Sequence, residues 1–460
     1  MNIDEQIKEQ FDVKPLRYAG ENETRQCADA YKGKPSWVDA EDEVSSVNFT
    51  KTICEETARL IMLGTKVTFE GSRAEYMQKT IDSNYYNIRQ WVEYAMAYGT
   101  VIVRPDDTDY SCVLPDGFRV TETRNGEIWG AVFVDVREAA GKEYTRLEYH
   151  RFENDVYKVS NRCYVRDIEE GGEARPTTLE NTPWSLLNEE STFENVDRPL
   201  FAVIRTPQAN NLDEQSPLGL PLVAHALQEI SDLDIAYSRM SNEIAESKRT
   251  VLIDSDRLFA SSEAYKNKNT QVSALNTARK SMGLPECVKA VQADADGRFI
   301  YNEINPQLNT AVRLQGINHL LSQIGYKVGF ANGYFVFNEQ MGIQTATGVE
   351  ANQQRTIQFV KDCRDRVEKA LGDLITSIAK FADVYDLAPA GEYEVTYQFG
   401  DITYNEEEDK QRWLQYVAMG KVPFWYYLVK FEGFTEDDAK ALEQSAQPQV
   451  QEAFPGAEEE

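Results

Sequence analysis

The chain has 460 residues, 42% hydrophobic and 27% charged, with 76 acids against 48 bases and a formal charge of −28. That length fits two or three domains or one elongated subunit, with ample material for a core. It contains no apolar run long enough for a transmembrane helix, and its acidity argues against the broad basic face of a tight nucleic-acid binder.

The six cysteines (Cys27, Cys54, Cys112, Cys163, Cys287, Cys363) lie far apart without a CxxC pair. Buried thiols in a reducing compartment are expected, not a disulfide or zinc framework. The opening MNIDEQIKEQFDV is acidic and polar, unlike a secretory signal. The acidity reads either as plain solubility or as a surface that stays close to DNA without sticking to it.

In chain order, the first residues up to WVDAEDEV read as an irregular or helical arm. From Asn48 to Leu63, Phe49, Ile53, Ala58, Leu60 and Ile61 fit an amphipathic helix that Gly64 stops. Residues 66–69 read as a strand and Ile88–Tyr98 as a helix. Strands follow at 100–104, 130–137, 145–152, 156–164 and 200–205, with Asn125-Gly126 as a hairpin turn. From Pro221 to Arg249, Leu222, Ala226, Ile230, Leu233, Tyr237, Met240 and Ile244 predict one long helix, with Glu229, Asp232, Arg239, Glu243 and Glu246 on its opposite face. Residues 251–305 break it. A polar helix is expected near 261–280, and Val288–Val291 with Phe299–Tyr301 predict a hairpin about Asp296-Gly297. Helical spacing resumes from Val312 to Val328 and again from Val349 to about Ala382. A strand at 393–399, helices at 413–430 and 435–445, and a disordered acidic tail at 446–460 complete the reading.

Few motifs carry chemistry. No GxxxxGK[ST] occurs, so nucleotide hydrolysis is not expected; Gly141-Lys142 lacks the spacing and the hydroxyl. His150, His225 and His319 are unclustered, and neither GxSxG nor HExxH appears. Asp294, Asp296, Gly297 and Glu303 match part of a calcium-loop pattern, but Gln292 holds its first position and the flanks read as strands, which favours a turn. Asn48-Phe49-Thr50 is a glycosylation pattern without a signal sequence to give it meaning. The segment 338–348 bears one charge, Glu339, among amides and threonines. It reads as a surface loop, or as one that touches a polyanion weakly through hydrogen bonds.

The order of segments and three stretches, RTPQANNLDEQSPLGLP (205–221), NEIAESKRTVLI (242–253) and GIQTATGVEANQQRT (342–356), resemble the portal proteins of long-tailed, siphophage-type bacteriophages. The resemblance covers about residues 30–440. Here Gly348-Val349 intervenes before Glu350, where the family often has an acid directly after Thr-Ala-Thr.

The resemblance implies an α+β portal fold in successive parts. These are an arm (1–47), a wing (48–216), a first stem helix (217–250), a clip (251–305), a second stem helix (306–337), a tunnel loop (338–348), a long helix returning to the wing (349–400) and a crown (401–445). It also implies a ring, typically of twelve copies, at one capsid vertex, assembled in the host cytoplasm. The implied partners are double-stranded DNA in the channel, the terminase large subunit, head-completion or adaptor proteins, and the major capsid and scaffold proteins. No membrane, cofactor, metal or catalysis is expected. Asn338, Gln340, Met341, Gln344, Thr345 and Thr347 would line the channel, and Lys266, Lys268, Arg279 and Lys280 would help dock the motor. Acids and bases balance within 251–305, which suits successive docking partners. The competing expectations are a monomeric adaptor or scaffold and a metal-dependent hydrolase.

Overall fold

The computed structural model describes residues 2–39, 41, 43–106, 109–154, 156–168, 172–247, 250–254, 287–291, 301–304, 307–336, 346–400 and 406–446. The chain divides into two compact units, Met1–Gln398 and Phe399–Glu460.

The first unit opens with α1 (Ile3–Phe11), α2 (Glu21–Tyr31), α3 (Phe49–Met62), β1 (Lys66–Glu70), α4 (Ala74–Ser83) and α5 (Tyr85–Tyr98). The strands β2 (Thr100–Asp106), β3 (Asp109–Val113), β4 (Phe118–Arg124), β5 (Glu127–Ala139), β6 (Lys142–Glu153), β7 (Val156–Asp167), β8 (Arg175–Thr177), β9 (Glu190–Phe193) and β10 (Ala202–Arg205) follow. Then come α6 (Leu227–Glu246), β11 (Thr250–Asp254), β12 (Cys287–Val291), β13 (Tyr301–Ile304), α7 (Thr310–Val328), α8 (Ala346–Val384) and β14 (Glu394–Gln398).

The largest sheet is an antiparallel meander, β4-β5-β6-β7-β8, with β9 also on β7. The β4–β5 turn needs positive φ at two successive residues, and Asn125 and Gly126 supply 52° and 73°. Strand alternation sorts the side chains to two faces. Ala131 and Phe133 join Ile102, Phe118, Val120 and Phe201 on one face. Val132 joins Leu147, Tyr149 and Tyr164 on the other, where Ile7 and Phe11 of α1 cover them. A second sheet, β10-β2-β3, and the pair β1-β14 complete the strand structure among the described residues outside 250–304.

Helix α8 is 39 residues long, roughly 58 Å, and buries Val360, Cys363, Val367, Leu371, Leu374 and Ile378 at helical spacing. Arg364 on this helix donates to the carbonyls of Leu60, Ile61 and Leu63, which serves the last turn of α3, where carbonyls lack helical partners.

Several expectations need correction. The helix predicted from Pro221 begins at Leu227, because the preceding residues are held by tertiary hydrogen bonds. Gly219 N donates to Thr100 Oγ1 at 2.7 Å, Leu222 N to Met96 O at 2.9 Å, and Thr206 Oγ1 to Leu220 O at 2.7 Å. Here two backbones cross at glycines: a Cβ on Gly219 would lie 2.6 Å from Gly99 O. Strands β12 and β13 do not pair with each other as the predicted hairpin of 288–291 with 299–301 requires; residues 299 and 300 lie outside the described residues. β11 takes the centre, with β12 parallel on one edge and β13 antiparallel on the other. Helix α8 starts at Ala346, so Thr347 and Gly348 are helical. The expected polar helix near 261–280, the Asp296-Gly297 turn and the tail lie outside the described residues.

In the second unit the helix predicted over 413–430 is two, α9 (Glu406–Ala418) and α10 (Phe424–Phe431), followed by α11 (Glu436–Ala446). Gly420, at φ 67°, and Pro423 make the break. Tyr427, Leu428 and Ala439 form its core, with Trp413, Val417 and Phe431 packed around them.

Candidate functional site

Helices α6 and α7 lie antiparallel, fastened at both ends. At one end Lys327 Nζ reaches Glu229 Oε1 at 2.5 Å and His225 O at 2.9 Å. At the other, Arg313 pairs with Glu243, which also accepts from Asn309 N at 3.1 Å. Glu229 and Glu243 therefore face α7, not the solvent side assigned to them from spacing. The buried apolar residues, Ile230 and Leu233 on α6 and Ile317, Leu321, Ile324 and Val328 on α7, gather toward the Lys327 end. Tyr237 and Ile244 on α6 and Val312, Leu314 and Tyr326 on α7 are exposed, as are Ile304 and Leu308 ahead of α7, Val312 at 69%. The pair is only half buried by its own chain.

A strap from the arm holds α6 from outside. Asp234, fully buried, accepts from Trp37 Nε1 at 2.9 Å and from Val47 N at 2.8 Å. Ser45 N donates to Ser238 Oγ at 3.0 Å, one turn further along. Sequence reasoning missed this contact. Its signal was an acid inside the apolar stripe with a serine four residues on, Asp234 and Ser238.

The segment between α7 and α8 is framed by fixed anchors. Gly329 ends α7 at φ 122° and packs against Phe359 of α8. Ala331 N donates to Thr356 Oγ1 at 2.8 Å. Phe330 is enclosed by Tyr334, Phe335 and Phe359, and Tyr334 Oη donates to Glu56 at 2.6 Å. Arg355 lies 3.9 Å above the Tyr326 ring and donates to Tyr326 O at 2.9 Å. Of the expected channel residues, Thr347 is in the first turn of α8. Asn338, Gln340, Met341, Gln344 and Thr345 lie outside the described residues, as do Lys266, Lys268, Arg279 and Lys280. So do Asp294, Asp296 and Gly297 of the calcium-like pattern; Glu303 is on β13. Among the described residues no cluster of His, Cys, Asp and Glu could hold a metal ion.

A buried charge cluster braces the large sheet. Arg104 of β2 bonds Glu148 of β6 at 2.5 Å and Asp135 of β5 at 2.6 Å. Arg146 reaches Asp135 at 2.6 Å and Glu148 at 3.0 Å. His150 Nε2 lies 2.6 Å from Glu148, and its Nδ1 lies 2.7 Å from Tyr157 Oη. Burial alone would raise the Glu148 carboxyl, but Arg104, the His150 hydrogen bond and Arg146 outweigh it and hold it well below the usual range. Burial pushes His150 down; Glu148 opposes this and the two arginines add to it. With both ring nitrogens engaged and the ring buried, this group braces the sheet and offers a substrate no approach.

A family model described as phage portal protein, SPP1 Gp6-like, matches residues 17–452. No curated protein matches the chain. A solved structure described as "Neck of native GTA particle computed with C12 symmetry" is similar at a TM-score of 0.38 and 9% identity, covering 96% of this chain and 98% of that one. The family match runs from the segment between α1 and α2 through the half-buried helix pair and α8 into the second unit. The chain therefore belongs to the phage portal protein family of the SPP1 Gp6-like type, and is a portal, or head–tail connector, subunit of a virion.

Proposed function

We propose that copies of this chain close into a ring of twelve at one capsid vertex, around a conduit for double-stranded DNA. The terminase motor drives the genome in through this conduit, and the genome leaves through it at ejection. The observation that carries the reading is the half-buried α6–α7 pair, on and ahead of which Tyr237, Ile244, Ile304, Leu308, Val312 and Leu314 are each exposed. Apolar surface of this kind marks an interaction site, and a closed ring covers it on every copy at once. The charge of −28 supports a wall along which a polyanion slides without being trapped.

Under this reading residues 48–216 and 349–400 form the wing, and 251–305 the clip that receives the motor and later the head-completion proteins. The stem is α6 with α7, narrower than 217–250 because residues 217–223 belong to the wing's hydrogen-bond network. Residues 338–348, strung between the anchors at Gly329–Phe335 and Arg355–Phe359, form the constriction. Residues 401–445 form the crown facing the capsid interior, toward scaffold and major capsid protein. The chain has no catalysis of its own.

Packaging assays with purified rings test this. Replacing Gln344 and Thr345 by lysine leaves rings intact and slows or stops DNA entry; normal packaging by such rings removes the loop from the channel. Charge reversal at Lys266, Lys268, Arg279 and Lys280 weakens motor docking, and undiminished motor binding removes that assignment.

A further inference from the structure

A cleft of about 330 Å³ opens where the β4–β5 turn and β10 meet α8. Trp129, Phe201 and Pro217 give it an apolar lining, and Arg198, Arg205, Arg366 and Lys369 bring four cations to it. Two of these are satisfied locally. Arg198 Nη1 donates to Asp373 Oδ1 at 2.7 Å, and Lys369 pairs with Glu127. The third acid of the lining, Asp197, lies 3.9 Å from Arg198 Nε. The other two cations have no carboxylate among the described residues. Arg205 Nη1 donates to backbone carbonyls, Pro217 O at 2.7 Å and Gly126 O at 3.4 Å, and Arg366 forms no ion pair. The two guanidiniums also feel each other: burial lowers Arg205, and Arg366 lowers it further. Two partly buried like charges without a counter-ion are an unfinished arrangement.

We propose that this cleft receives an acidic side chain from a second copy of the chain, its carboxylate bridging Arg205 and Arg366. The inference rests on the ring reading and adds a specific polar lock between copies, apart from the apolar stem. Charge complementarity selects the occupant. Every copy carries 76 acids against 48 bases, so carboxylates are in surplus to meet the two guanidiniums. Arginine holds carboxylate in a fork, and an apolar lining strengthens the bond by excluding water. A duplex backbone is a poor occupant. The cleft admits a side chain or two, whereas tracking phosphates takes an array of cations.

The test is ring assembly against protomer concentration and NaCl, followed by native mass, for the intact chain and for Arg366→Glu and Arg366→Gln. Arg366 is partly buried on α8 and forms no ion pair there among the described residues, so both variants keep the far-UV circular dichroism and thermal midpoint of the dispersed chain. Arg366→Glu raises the concentration needed for half-assembly about tenfold or more, and Arg366→Gln, which removes charge without reversing it, raises it less. If Arg366→Glu fails to fold, the rise with Arg366→Gln decides. Wild-type rings whose folded variants assemble at the wild-type concentration overturn the cleft alone. A wild-type chain that never assembles overturns the ring reading and this inference with it. Variants that keep subunit affinity but lose DNA retention assign the cleft to phosphate and also overturn the proposal.

Discussion

His150 keeps a neutral ring because both of its contacts are complete without a second proton. Its Nε2–H donates to the Glu148 carboxylate, and its Nδ1 accepts from the Tyr157 hydroxyl. The unfolded chain protonates its imidazole as pH falls through about 6.5, while the native ring, held below that value, does not. The stability tied to His150 is thus intact above that value and drains as pH falls below it, by at most about 1.4 kcal/mol per pH unit. Glu148, also held below its ordinary value, adds a second loss at lower pH, as unfolded carboxylates protonate first. Urea unfolding from pH 7 downward therefore shows falling stability, and His150→Gln flattens the upper part of that slope. An unchanged slope contradicts the assignment. Glu148→Gln leaves Arg104 and Arg146 short of a buried counter-charge and costs about 3–5 kcal/mol by the same measurement. At Asp234, alanine removes the acceptor for Trp37 and Val47, costs about 2–3 kcal/mol, and speeds amide exchange over residues 43–47; unaltered exchange there contradicts the strap. The alternation Arg146, Glu148, His150 is legible in the sequence as one face of a strand. Its partners Arg104, Asp135 and Tyr157 are not, because they come from strands whose register no local pattern fixes.

Helices with a long apolar period were legible: α3, α5, α7 and α8 lie within a few residues of their predicted spans. Helix α4 was not, since Met77 and Ile81 are its only buried residues, too few for a period. The start of α6 was misread for a different reason. Leu222 and Ala226 continue the stripe in sequence but are buried by the crossing at Gly99 and Gly219, a contact between segments far apart in the chain. The β12–β13 hairpin failed likewise, because β11 lies between strands that proximity in sequence would pair. Gly329 is a test at this scale. Its φ of 122° and a Cβ position 2.7 Å from Phe359 forbid a side chain where α7 ends against α8. Gly329→Ala therefore destabilises by about 1–3 kcal/mol in thermal unfolding. A neutral result would contradict the close packing of this junction against Phe359.

For the whole molecule, the order of segments in the chain anticipated the family whose model matches residues 17–452. The candidate site was legible only in part. The polar character of 338–348 is plain in the sequence, while 338–345 and 266–280 lie outside the described residues. The α6–α7 pair is only half buried by its own chain. Spacing predicts one continuous apolar stripe on α6, and Tyr237 and Ile244 within it are exposed, as are Val312 and Leu314 of α7. Because they are exposed, Ile244→Asp combined with Val312→Asp leaves the single chain folded, with an unchanged thermal midpoint, while assembly is lost. The most direct measurement is native mass with negative-stain imaging of the purified chain, alone and carrying this double substitution. Twelve-fold rings with a central hole for the wild type and single chains for the variant are the predicted result. A wild-type chain that stays single at every concentration, or a variant that closes rings as readily as the wild type, would contradict it.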